Sequence, residues 1–185
     1  MEKEIFIPLE TPKSTVIITF GKEMKYTVKE SLMTTVLGDI LNNRYTKSIR
    51  EEQGGTYGVG VRGAASREPY NAYSMMMQFD CQPEKAAELK PLIYKEVDDI
   101  IANGVTEEEL GKVVKNTLKE EEQKKAHNNY WLGTLMSYYK TGVNYDDPKN
   151  NEDLLKGLTP KDIQKFAKKL FKNADILDLV FSPEK

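Results

Sequence analysis

One cysteine, one histidine and one tryptophan occur in 185 residues. A lone cysteine, Cys81, closes no internal disulfide and leaves the redox compartment open. A lone histidine, His127, rules out any site that needs two imidazoles. No apolar run is long enough to span a bilayer. Basic residues are not in excess: 27 Lys and Arg stand against 29 Asp and Glu, a net charge of −2. That argues against a general nucleic-acid binder. No stretch with the character of a secretory signal precedes the first strand-like segment, so for an exported parent that signal lies elsewhere. The expectation is a single domain over residues 1–185, excised from a longer protein. No internal repeat is evident.

What is present is the composition of a globular domain, 39% hydrophobic and 30% charged. Ile5 to Leu9 reads as an edge strand, with Pro8 unable to donate to a ladder. Ser14 to Phe20 is β-branched and apolar and reads as a buried strand ended by Gly21 and Lys22. Thr27 and Glu30 have capping-box spacing ahead of a long helix. Its rows Leu32, Val36, Ile40 and Met33, Leu37, Leu41, Tyr45 form one apolar stripe. Ala72 to Cys81 alternates cleanly, with Tyr73, Met75, Met77, Phe79 and Cys81 on one face. Arg62 to Pro69 reads as the loop before it.

Pro83 opens a helix with Leu89, Ile93, Val97 and Ile100 on its apolar side, a kink expected at Pro91 and a stop at Asn103-Gly104. Thr106 and Glu109 form a second capping box, and Lys119 to Lys125 reads as a solvated helical face. Further helices are expected from Asn128, over Asn151 to Leu158 and from Thr159-Pro160, with a last strand from Ala174 to Phe181. The order reads as α+β: a mainly antiparallel sheet with its helices packed mostly on one face.

The chain is organised around Ser48 to Arg62, SIREEQGGTYGVGVR. A charged helix end runs into Gly54-Gly55 and emerges as a strand in which Tyr57, Val59 and Val61 alternate with Gly58 and Gly60. One face is bulky and the other bare, so another backbone can approach it. The turn brings a fixed cation, Arg50, and a phenol, Tyr57, toward one place. The bland alternative is an Arg50 salt bridge with Glu51 or Glu52 beside a core tyrosine. A phosphate loop is disfavoured: no Lys-Ser/Thr follows the glycines, and the turn runs from helix to strand.

IREEQGGTYGVGV resembles the C-terminal half of the pitrilysin-like (M16, inverzincin) metallopeptidases, and GVTEEEL, Gly104 to Leu110, is similar to a stretch that recurs there. The resemblance implies the pitrilysin/processing-peptidase type of α+β fold. It implies that Arg50 and Tyr57 hold the substrate backbone, with Gly55, Gly58 and Gly60 allowing its close approach. The zinc site of that family needs an H-x-x-E-H arrangement, which one histidine cannot supply. The implied role is therefore the partner half: no cofactor in this chain, zinc in the catalytic domain of the parent, and no activity alone. The implied partners are an extended peptide or unfolded protein and a zinc-bearing domain in cis or in trans. The alternative is a non-enzymatic scaffold or peptide-binding subunit of the same fold. A third reading is a generic module that binds peptides by strand addition. The compartment is unassigned; exported bacterial members of the family point to a periplasmic or cell-envelope parent.

Other candidates have simpler explanations. Cys81 and His127 have the chemistry of a nucleophile–base dyad, but Cys81 falls on an apolar strand face and His127 in a polar helix junction. Of Met75, Met76 and Met77, alternation sends two to the core and turns Met76, with Ser74, the other way. Tyr130, Trp131, Tyr138 and Tyr139 are expected in core and interface. Asp98, Asp99, Asp146 and Asp147 read as surface charge rather than a cation site.

Overall fold

A computed structural model of the protein describes residues 1–8, 12–51 and 56–184. Five strands form one sheet in the order β1-β5-β2-β4-β3. They are β1 (Glu2–Ile7), β2 (Ser14–Glu23), β3 (Thr56–Ser66), β4 (Ala72–Cys81) and β5 (Asp175–Pro183). The β2–β4, β2–β5 and β3–β4 pairs are antiparallel, and the β1–β5 pair is parallel. The helices are α1 (Val28–Tyr45), α2 (Ala86–Asn103), α3 (Glu107–Lys124), α4 (Asn128–Thr141), α5 (Glu152–Lys156) and α6 (Pro160–Phe171).

Strand alternation divides the sheet into two unlike faces. Val16, Ile18 and Phe20 of β2 pair with Phe79, Met77 and Met75 of β4, and all six are buried. On them lie Val36, Leu37, Ile40 and Leu41 of α1, Leu89, Ile93 and Ile100 of α2, and Ile163, Phe166 and Leu170 of α6. The intervening residues Thr15, Ile17, Thr19, Ser74, Met76 and Asp80 are only half-buried, and Gln78 is exposed. The sheet is therefore covered on one face and open on the other, as α+β patterning predicts.

Several boundaries differ from the sequence reading. β1 ends at Ile7, ahead of Pro8, and Leu9 lies outside the described residues. β2 continues through Gly21 and Lys22 to Glu23, because both neighbours extend that far: Glu23 faces Ala72, and Gly21 faces Asp175. Lys22 then reaches α6, where Nζ donates to the Lys169 (2.8 Å) and Lys172 (2.5 Å) carbonyls and satisfies a helix end. Thr27 accepts the Glu30 N–H, but the box is half-made, since the Glu30 carboxylate turns to Lys169 Nζ at 2.6 Å. The Thr106/Glu109 and Thr159/Asp162 boxes are complete. α2 follows a 3₁₀ turn at Pro83–Lys85 and continues through Pro91 as one helix to Gly104, whose φ of 82° makes the stop.

Two larger corrections concern β3 and α4. Arg62 to Ser66 is strand, not loop, paired with Met76 to Ala72. The aromatic cluster on α4 is not core. Trp131, Tyr138 and Tyr139 are exposed, Tyr130 is half-buried with its hydroxyl donating to Asp146 Oδ1 at 3.0 Å, and α4 buries no residue. The covered sheet face is already occupied by α1, α2 and α6, which leaves no apolar surface there for α4.

Candidate functional site

α1 carries the site. Its last turn loosens because Thr46 Oγ1 donates to the Asn42 carbonyl (2.8 Å) and Ser48 Oγ to the Arg44 carbonyl (3.0 Å). Such back-bonding competes with the helix ladder. Thr46–Glu51 forms a π-helical turn, a form that concentrates at functional sites. Ile49, fully buried, anchors that turn in the core, and the next residue is Arg50. The side chains of Arg50 and Tyr57, and all of Gly55, lie outside the described residues; the backbone places Arg50 at the end of the turn and Tyr57 at the start of β3.

At Tyr57 the strand carries a β-bulge. Thr56 pairs with Cys81 and Val59 with Phe79, so three steps of β3 match two of β4. Bulges re-aim side chains and are frequent beside active sites. Thr56 pins this one. Its hydroxyl accepts the Gly58 N–H at 3.2 Å, and its single proton is shared between the Gly58 carbonyl (2.9 Å) and the Asp80 carbonyl. The sequence reading missed Thr56; a threonine directly before the strand tyrosine was the available signal. Thr56→Val keeps the shape and removes the hydroxyl. Stability is expected to fall by about 1 kcal/mol, read by urea unfolding. An unchanged unfolding midpoint would mean that the hydroxyl does not hold the bulge.

Beyond the bulge, Gly58 and Gly60 face open space. Among the described residues, a Cβ built on Gly58 meets nothing within 4 Å, and one on Gly60 meets only the Gln78 carbonyl, at 4.0 Å. Val59 and Val61 pack against the core from the same strand. The bare face forms the floor of a groove of about 450 Å³, lined by Gly58, Gly60, Arg62, Met76, Gln78 and Asp80 among others. Asp80 is internally occupied, with Oδ2 receiving Lys13 Nζ at 2.8 Å and Oδ1 the Thr15 hydroxyl at 2.6 Å. Burial alone raises its pKa, but these two bonds and the Lys13 charge outweigh that and hold it below the usual carboxylate range.

β3 is the sheet edge beside α1. Asn42 Oδ1 accepts the Val61 N–H at 3.2 Å, so one backbone donor of that edge already has a partner. A strand added there has to displace Asn42.

The remaining candidates do not converge. Cys81 is buried, and burial pushes its thiol up to about 11, which keeps it inert. His127 is exposed at the start of α4. Asp99 pairs with Arg44, Asp146 takes the Tyr130 hydroxyl, and Asp147 caps the turn at Pro148–Asn150. Among the described residues no three His, Cys, Asp or Glu side chains are placed to hold a metal, and no helix is long and apolar enough to cross a membrane.

A family profile described as the peptidase M16 inactive domain matches residues 2–117. The probable zinc protease PqqL of Escherichia coli (strain K12) is 27% identical over 124 residues, which is 65% of this chain and 13% of that protein. The crystal structure of periplasmic PqqL superposes with a TM-score of 0.82 at 20% identity, over 99% of this chain and 20% of that one. The ferredoxin protease FusC, in complex with Arabidopsis ferredoxin, gives a TM-score of 0.80 at 16% identity, over 100% and 20%. A peptidase M16 inactive domain from Pseudomonas fluorescens gives 0.75 at 18% identity, over 98% and 43%. These structural likenesses establish a common fold. The chain spans a small part of PqqL and FusC and under half of the Pseudomonas fluorescens protein.

Proposed function

The chain belongs to the peptidase M16 family, as a domain of the inactive type, and from that premise we propose that it holds an extended peptide for a zinc peptidase whose metal is carried by another domain. The observation that supports this most is the bare groove on the open sheet face, which begins at the Tyr57 bulge and has two glycines for a floor. At Gly58 and Gly60 an extended backbone can approach the strand closely, with Arg62, Met76, Gln78 and Asp80 beside it. The zinc-bearing domain is a partner in cis or in trans, and the pair encloses the substrate. The residues present do not fit a zinc site of the family's kind: the chain has one histidine, and that one is exposed.

In this reading Arg50 and Tyr57 act on the substrate. A guanidinium is planar and permanently charged, so it fixes a carbonyl or carboxylate in one orientation. A phenol donates a proton in a hydrogen bond to the oxygen that gains negative charge as water attacks the peptide carbon. Gly55, Gly58 and Gly60 give the backbone room. A protein substrate agrees with the ferredoxin bound by FusC. A cell-envelope location is extended here from periplasmic PqqL.

The test is binding by the chain itself. A fluorescent, extended twelve-residue peptide should bind, and Arg50→Ala should weaken it about tenfold, the loss of one charge-assisted hydrogen bond. The chain should show no turnover of quenched peptides with added zinc. Equal affinity after Arg50→Ala overturns the clamp and favours a module that binds peptides by strand addition. Chelator-sensitive turnover that co-purifies with the chain overturns the assignment of zinc to another domain.

A further inference from the structure

Arg62 lies in the same groove, on the same strand. We propose that Arg62 selects substrate, by pairing with an acidic side chain of the bound peptide about four to five residues away from the one held at Tyr57. This rests on the peptide-holding reading above and adds a specificity position to it.

The strand geometry sets the distance. Gly60 faces Gln78 and Arg62 faces Met76, so both point to the open side of the sheet, as do Met76 and Gln78. Tyr57 and Arg62 are five residues apart on β3, but the bulge absorbs one of them: Thr56 to Arg62 matches only Cys81 to Met76 on β4, so Tyr57 lies between four and five extended steps from Arg62, roughly 14–17 Å at about 3.4 Å per residue. A peptide lying extended along the groove has the same rise, so its residue about four to five positions on arrives at Arg62.

The charges in the groove favour an acidic side chain at that point. Arg62 is exposed and makes no ion pair among the described residues. The acidic group lining the same groove, Asp80, is bonded to Lys13 and Thr15, so it does not compete for Arg62. Met76, half-buried opposite Arg62, offers an apolar surface for the methylene groups of a glutamate. An exposed charge pair of this kind shifts affinity by up to about fivefold, and salt screens it.

The experiment scans one glutamate through an otherwise neutral twelve-residue peptide and reads the affinity of the full chain by anisotropy, in 20 mM and in 500 mM salt. One or two adjacent positions should bind about fivefold tighter than the glutamine peptide at low salt, and the gain should vanish at high salt. In Arg62→Glu the same positions should prefer lysine. Arg62→Gln should abolish the preference, and a far-UV circular dichroism spectrum matching wild type reports that the variant is folded. A flat glutamate scan, or a preference that survives Arg62→Gln, overturns the proposal. Arg50→Ala separates the two levels: if it still weakens the neutral peptide, only the role of Arg62 has failed. If no peptide binds at all, the peptide-holding reading has failed with it.

Discussion

Gly63→Ala is expected to cost the fold about 3 kcal/mol, the upper part of the range for forcing atoms into a packed site. A Cβ at Gly63 would lie 2.5 Å from the Thr34 carbonyl oxygen, 2.8 Å from Thr34 Cγ2 and 3.1 Å from the carbonyl carbon. Two of these three atoms are backbone of α1 and cannot rotate away. From the other side, a Cβ on Gly38 of α1 would come within 3.4 Å of the Gly63 backbone nitrogen. The helix and the edge strand thus meet backbone to backbone at two glycines. An added methyl must lift α1 from β3, and Val36, Leu37 and Ile40, all buried, leave the core with it. Urea unfolding followed by far-UV circular dichroism measures the loss, and the melting temperature should fall by about 6–10 °C for a chain of this size. An unchanged midpoint would mean that the two elements do not touch as described.

The glycines of the same strand provide the control. Among the described residues Gly58 has no atom within reach of an added Cβ, so Gly58→Ala should leave the unfolding midpoint near wild type. Gly58→Leu should also leave the fold standing while it fills the groove, and under the peptide-holding proposal it should abolish binding of the fluorescent peptide. Gly63 is therefore a packing glycine and Gly58 a groove glycine, five residues apart on one strand.

That contrast also marks how far the sequence could be read. β4 was legible from end to end because one face is buried and the other is not, and the alternation of Tyr73, Met75, Met77, Phe79 and Cys81 records it directly. The stripe of α1 and the capping threonines of α3 and α6 were legible for the same local reason. The second half of β3 was not. Arg62-Gly63-Ala64-Ala65-Ser66 carries no bulky alternation, and what makes it strand is the ladder to β4 together with the close approach of α1, both contacts distant in sequence. α4 has the residues of a core helix, and nothing local says that other helices have already taken the sheet. At the site, the spacing of Arg50 and Tyr57 and the bare Gly58/Gly60 face could be read from the motif. The bulge, the Thr56 pin and the hold of Asn42 on Val61 could not, since each depends on which strand or helix lies alongside.

Arg44→Met is the second large effect expected, and its consequences reach the site. Arg44 is the hub where three helices meet. Nε and Nη2 form a fork on Glu109 at 2.7 and 3.1 Å, Nη1 pairs with Asp99 at 2.7 Å, and Nη2 also donates to the Gly104 carbonyl at 3.2 Å. Glu109 meanwhile completes its capping box through the Thr106 N–H at 2.7 Å. The Arg44 side chain is only 15% exposed. Removing it leaves Glu109 partly buried without its cation, which for a fully buried pair costs 3–5 kcal/mol. Asp99 is 44% exposed and solvent screens it, so the expected loss is about 2–3 kcal/mol.

The dependence on pH carries a sign that distinguishes this from lost packing. Burial opposes ionisation of Glu109, but the hydrogen bonds and charge of Arg44 and the cap at Thr106 outweigh it and leave its pKa below the ordinary value. Asp99 is lowered by its Asn103 bond and, against burial, by Arg44. Groups depressed in the folded state stabilise it fully above their unfolded pKa, near 4, and lose that contribution as pH falls through the lower folded value. Wild type should therefore lose stability on acidification from about pH 5 to pH 3 more steeply than Arg44→Met, and the two unfolding curves should converge at the acid end. Arg44→Lys keeps the charge but not the fork, and should recover only part of the difference. If the gap between wild type and Arg44→Met is the same at pH 3 as at pH 7, the ion pairs contribute nothing and Arg44 is only packing. If the gap closes, the end of α1, and with it the turn that presents Arg50, is held in place by charge.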